Sequence, residues 1–331
     1  MAMVTAMPRR TPSTSRRPNN ASSRRGAGGD IAIFFGGGRG MNSFFRGWHI
    51  AKASLGVLRA QPKLMILPIC SAAAMLGIIA LTLPLLAVFS AGNADENTTD
   101  ILVLVTAFGG YIACYFAMLF FNAALIFCSI RYFETGSTTI GEGLAAAGRR
   151  ALPIFLWALI AGTIGLILRI IGETLTRLAR KEFGAIVAFV VKLLTAGLYG
   201  LWLAASYFAL PVLVVEGVGP IDAVRRSTHL IKTHWGDVLG GQSMLGLLTL
   251  LAILIPGALV GGLVYLAQDA AQAYLGILVG IGAVYLGLVM LVSSVLGIIF
   301  LAGVYMFTAT GKAPDIFGED LVGSALKTKA A

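Results

Sequence analysis

Six long apolar runs divide the chain, over residues 64–89, 101–130, 151–171, 184–215, 238–266 and 274–307. Each meets the roughly 20 residues that an α-helix needs to cross a bilayer. The polar stretches between them have an order of their own. Over 43–60, Phe44, Trp48, Ala51, Leu55 and Leu58 recur at steps of three and four, with Arg46, His49, Lys52 and Arg59 on the other face. Thr139-Ile-Gly-Glu142 has the spacing of a capping box, and Ile140, Leu144 and Ala147 continue as a stripe that Arg149 and Arg150 close. Over 219–235, Gly219 is the expected cap, Pro220 suits a first helical turn and Asp222 faces the positive helix end. Ile221, Val224, Thr228, Ile231 and Trp235 then share one face, and Asp222, Arg225, Arg226, His229 and Lys232 the other. Such patterns predict helices lying in the plane of the membrane surface, basic side outward.

The expected fold is therefore all-α: a polytopic transmembrane bundle of six spans with three in-plane amphipathic helices. Three times a surface helix precedes a pair of spans. Arg46, His49 and Lys52 also have the spacing of Arg226, His229 and Lys232. Units that each cross twice have the same orientation, which allows a pseudo-threefold array of hairpins, with a six-helix bundle lacking symmetry as the alternative. Gly257/Gly261, Gly276/Gly280 and the small residues Gly109, Gly110, Ala113 and Ala117 are expected to bring helices together. Asn122, in the second span, is expected to bond between helices.

Composition agrees with this. Hydrophobic residues make up 57% and charged residues 12% of the 331, where a soluble domain has about a quarter charged. The net charge of +10 follows from topology and does not call for a nucleic-acid partner. With the N-terminus inside, 20 of the 25 Lys and Arg residues fall on the cytoplasmic side. Arg177, Arg180 and Lys181 fall opposite, and Arg169 and Lys192 within spans. The bias places both termini in the cytoplasm, in a cell membrane. Residues 1–40, rich in Arg, Ser, Pro and Gly, read as a disordered basic tail, 41–310 as the transmembrane domain and 311–331 as a cytoplasmic tail. Cys70, Cys114 and Cys128 all lie in apolar runs, as packing residues do.

Ionisable residues at membrane depth are the main pointers to function. Arg169, Glu173 and Arg177 stand at i, i+4 and i+8, and a turn near Phe183 would bring Lys192 within reach of Glu173. This cluster is a candidate site for an anionic ligand or headgroup, or else a structural ion-pair cluster. Arg46, Lys52, Arg59, Arg225, Arg226 and Lys232 are candidate contacts to anionic lipid headgroups. No catalytic, metal-binding or cofactor-binding spacing occurs: there is no HExxH, GxSxG or phosphate-binding loop.

The segment Pro211-Val-Leu-Val-Val-Glu-Gly-Val-Gly-Pro-Ile-Asp-Ala-Val-Arg-Arg-Ser227, followed by Trp235-Gly-Asp237, resembles an uncharacterised family of prokaryotic multi-pass membrane proteins. Arg46-Gly-Trp48, Leu58-Arg59-Ala60 and the tail from Tyr305 to Pro314 are similar too, so the resemblance covers about 44–326. It implies no reaction. A more distant likeness is to membrane domains found beside glycerophosphodiester phosphodiesterases, whose soluble catalytic domain this chain lacks. The expectation is a non-enzymatic module that organises lipid or a partner membrane protein, the alternative being a transporter of a small solute or lipid.

Overall fold

The computed structural model describes residues 54–91, 96–266 and 272–310. The basic tail, the 43–53 half of the first surface helix with Arg46, His49 and Lys52, and the C-terminal tail lie outside them. All regular structure in the described residues is helical. Helix α1 covers residues 54–60, and a 3-10 turn, Pro62–Met65, leads into α2 (Ile66–Ala91). Then come α3 (Glu96–Thr135), α4 (Ile140–Arg149), α5 (Ala151–Ser206), α6 (Ala209–Val215), α7 (Pro220–Leu266) and α8 (Gln272–Thr310).

Five segments are long and apolar enough to cross a membrane: Pro62–Ala91, Asn97–Thr135, Ala151–Val215, Leu245–Tyr265 and Gly276–Thr310. The third, of 65 residues, replaces two of the six expected runs. Within it Gly184 leaves the helical region, at φ 84 and ψ −176. A Cβ on Gly172 would stand 3.3 Å from the Cβ of Thr195. A straight helix would hold those residues about 35 Å apart, so α5 turns back on itself at Gly184 and its two arms pack together.

The other long helices also pair antiparallel. Gly110 of α3 lies against Thr82 of α2, and further along α3 the Cys114 thiol points back to Met75 O at 4.0 Å. Between α7 and α8, Thr249 donates to Ser293 at 3.0 Å and Tyr285 donates to Ala252 O at 3.0 Å.

All these helices meet at one end. The core there holds Leu64 of the 3-10 turn, Leu67 of α2, Leu125 and Ile126 of α3, Ile154 of α5 and Phe300 of α8. The only buried polar or charged residues among those described are Ser54, Ser71, Ser129 and Ser227. Away from that end the helices expose apolar side chains, with Ile186 at 83% and Leu104 at 69%. Water would not tolerate so much exposed apolar surface, whereas lipid solvates it.

The Pro211 segment is the centre of this packing rather than the tail of a span. Every residue of α6 from Ala209 to Val214 is buried. Pro211 has no N–H, but as the third residue of α6 it needs none, which lets the chain break at Tyr207–Phe208 and restart. The amide left without a helical partner is satisfied across the core: Phe208 N donates to Ser227 Oγ at 3.0 Å. Glu216 caps the other end, and Gly217, at φ 70, takes the left-handed turn that glycine allows. Glu216 Oε1 accepts from Arg226 Nε at 3.2 Å and from Tyr305 OH at 3.0 Å. The Arg150 guanidinium donates to Gly217 O at 3.4 Å. One short helix thus fastens the ends of α5, α7 and α8.

Several expectations change. The N-cap half of the capping box is formed, with Thr139 Oγ1 accepting from Glu142 N at 3.3 Å. The third surface helix is not separate: residues 220–266 form one continuous helix through Trp235, whose side chain lies outside the described ones. Its buried face is Ala223, Ser227, Leu230 and Ile231, whereas Ile221 is 64% exposed. Gly257, Gly261, Gly276 and Gly280 have no close neighbour within the described chain. The close approaches are instead at Gly110, Gly143, Gly162 and Gly172. Asn122 is half-buried, and the interhelical bond expected of it is not formed among the described residues.

Candidate functional site

Two charged regions come from the sequence candidates. The first lies in the α5 hairpin. Arg169, Glu173 and Arg177 rise one turn apart on the first arm, so their side chains share a face. Glu173 Oε1 meets Arg169 Nε at 3.0 Å, and Oε2 meets Arg177 at 3.4 Å. All three remain more than half exposed, at 76%, 51% and 82% for Arg169, Glu173 and Arg177. Lys192 comes from the second arm and lines the same groove, of about 640 Å³, but makes no ion pair among the described residues.

The expected Lys192–Glu173 pair is therefore not formed. Both oxygens of Glu173 are held by arginines of its own helix, which reach it without bridging the arms. Arg180, Thr176, Thr195 and Tyr199 also line the groove and were not among the sequence candidates. The signal was present: Thr176 and Arg180 continue the steps of three and four from Arg169, and Thr195 and Tyr199 lie three and seven residues after Lys192. The two threonine hydroxyls donate to their own helix, Thr176 to Gly172 O at 2.7 Å and Thr195 to Val191 O at 3.0 Å. Donors free to face a ligand are therefore mainly the cations.

The second region is at the packed end. Arg59, Arg225, Arg226, His229 and Lys232 are exposed, on α1 and on the first turns of α7. Arg225 pairs with Asp222 at 3.2 Å and Arg226 with Glu216 at 3.2 Å. Arg46 and Lys52 lie outside the described residues. A recess of about 510 Å³ lined by Phe127, Ala146, Arg149, Arg150 and Val214 opens nearby. The thiol of Cys128 is buried and donates to Thr139 O at 3.4 Å, while Cys70 and Cys114 are half-buried. Among the described residues no three His, Cys, Asp or Glu side chains gather as a metal site would require.

The model of a family of unknown function, DUF6159, matches residues 101–315, and the chain belongs to that family. The match includes α4 to α8 and most of α3, hence the α6 centre and both ends of the α5 hairpin. It leaves out Arg46-Gly-Trp48 and Leu58-Arg59-Ala60. No curated protein matches the chain.

Proposed function

We propose that this member of DUF6159 is a non-enzymatic membrane module that organises lipid, or a partner membrane protein, at the cytoplasmic leaflet. In this reading the chain crosses six times, since α5 counts as two crossings joined at Gly184, and both termini are cytoplasmic. The membrane is the plasma or inner membrane. The observation that carries the proposal is the exposed basic face of α7 and α1, formed by Arg225, His229, Lys232 and Arg59 at the end where all the helices meet. A rigid packed layer beneath a basic surface suits headgroups of anionic lipid, which add about 1 kcal/mol per Lys or Arg near the surface. The positive-inside bias, in which these same residues are counted, supports a cytoplasmic position for that end. The transport alternative gains less support, because the core between the hairpins is apolar apart from four serines among the described residues.

The test uses the full-length chain purified in a mild detergent. Phosphatidylglycerol should raise the apparent Tm well above the effect of phosphatidylcholine, because a ligand bound by the folded state stabilises it. The triple variant Arg59→Gln, Arg225→Gln, Lys232→Gln should lose most of that difference. Equal stabilisation of the wild-type protein by both lipids would sink the proposal.

A further inference from the structure

The groove of the α5 hairpin is a separate matter from the basic face on α7. Four cations, Arg169, Arg177, Arg180 and Lys192, converge on it from two arms, against the single carboxylate of Glu173. Glu173 occupies Nε of Arg169 and one terminal nitrogen of Arg177. A guanidinium has five N–H donors, so each arginine keeps others for a second anion. Arginine donors placed in this way match a phosphate's oxygens, and Lys192 adds a point charge from the facing arm.

The position says where such a phosphate would come from. Arg169 is 15 residues before Gly184, about 22 Å from the hairpin tip, and Lys192 is about 12 Å from it. Beside the groove the second arm exposes Leu193, Leu194 and Leu198, at 64%, 65% and 58%, and the first exposes Ile170 and Ile171. Charge and bare apolar helix thus run side by side along the groove. A phospholipid has the same arrangement, a phosphate joined to acyl chains.

We propose that the α5 groove binds a phosphate group through Arg169, Arg177, Arg180 and Lys192, and that a phospholipid headgroup supplies it with its acyl chains along Leu193, Leu194 and Leu198. Glu173 is the resident anion of the site. It holds the arginines in place while the groove is empty and competes with the ligand for them.

The test is native mass spectrometry of the full-length protein released from nanodiscs containing phosphatidylglycerol, with retained lipid counted per chain. Wild-type protein should retain phospholipid, and the double variant Arg169→Gln, Lys192→Gln should retain about tenfold less or lower still. Glu173→Gln should retain more than wild type, because its removal frees both arginines. That increase keeps the proposal testable if the double variant fails to fold, since a purely structural ion pair predicts lower yield and no gain in lipid. Arg225→Gln with Lys232→Gln removes only lipid held at the α7 face, so Arg169→Gln, Lys192→Gln should cause the same further loss in that background, which separates the two sites. Millimolar inorganic phosphate should not displace the lipid. If it does, and remains bound itself, the phosphate site stands and its source is soluble. Unchanged retention in both the double variant and Glu173→Gln overturns the proposal.

Discussion

Gly143→Ala, the addition of one methyl group, is expected to lower the yield of folded protein sharply, and Gly143→Leu to abolish it. Gly143 lies on α4 where that helix crosses α3, and a Cβ there would collide with Cys128 Sγ and stand 2.7 Å from Ala124 O. The thiol could turn away, but the carbonyl belongs to the backbone of a fully buried stretch, Ala123 to Ile126. Overpacking of this sort costs about 1–3 kcal/mol, and more where neighbours cannot relax. Cys128→Ala should therefore rescue Gly143→Ala only in part, because it clears the sulfur and leaves the carbonyl. Fluorescence-detected size exclusion after a heating series measures both effects. Full rescue would show that α3 can shift and that the carbonyl contact does not limit the packing.

At Gly184 the reason for glycine is the opposite one. A Cβ there would meet nothing within 4 Å, yet φ 84 with ψ −176 is a backbone conformation essentially confined to glycine. Gly184→Ala is expected to destabilise the hairpin by about 1–3 kcal/mol. Gly184→Asn should be no better, since asparagine eases the left-handed helical region and not this extended one. Equilibrium unfolding in mixed micelles, compared with Gly197→Ala on the second arm, measures the cost. Gly197 has open space and no positive φ. Equal behaviour at the two positions would mean that the turn at Gly184 is not part of the folded state.

The sequence shows where apolar helices lie better than which of their faces pack. Residues 64–89 and 101–130 appear as helices close to their expected bounds, and Thr139 caps α4 as its spacing requires. The Pro211 segment proves central, with α6 and the α7 residues Ala223, Ser227, Leu230 and Ile231 buried at the packed end. The buried face of α7 was not legible, because a membrane helix is apolar toward lipid as well as toward protein. Ile221 is exposed and Ser227 fully buried, an inversion that a water-based pattern cannot anticipate. Size is the better guide in lipid: Gly143 lies against the backbone of Ala124, and the small residues Ala223 and Ser227 are fully buried. The paired glycines at 257/261 and 276/280 fit that rule and still have no close neighbour among the described residues.

The charge cluster was half legible. The steps of four from Arg169 to Glu173 and Arg177 gave real contacts. The link to Lys192 depended on where the arms align, which one chain of apolar residues does not encode. A run from 151 to 215 could equally be read as one interrupted helix, and only the backbone at Gly184 distinguishes the two.

The reversal of α5 forms the groove, and the proposed six crossings rest on it. A disulfide tests it directly. With Cys70, Cys114 and Cys128 replaced by alanine, Gly172→Cys and Thr195→Cys should oxidise to an intramolecular bridge in the membrane, because their Cβ atoms would lie about 3.3 Å apart, near the spacing disulfides adopt. The cross-linked peptide, found by mass spectrometry in protein that migrates as a monomer, is the result this account predicts. Two thiols that stay free, or that link only between chains, would mean α5 runs straight and would contradict it.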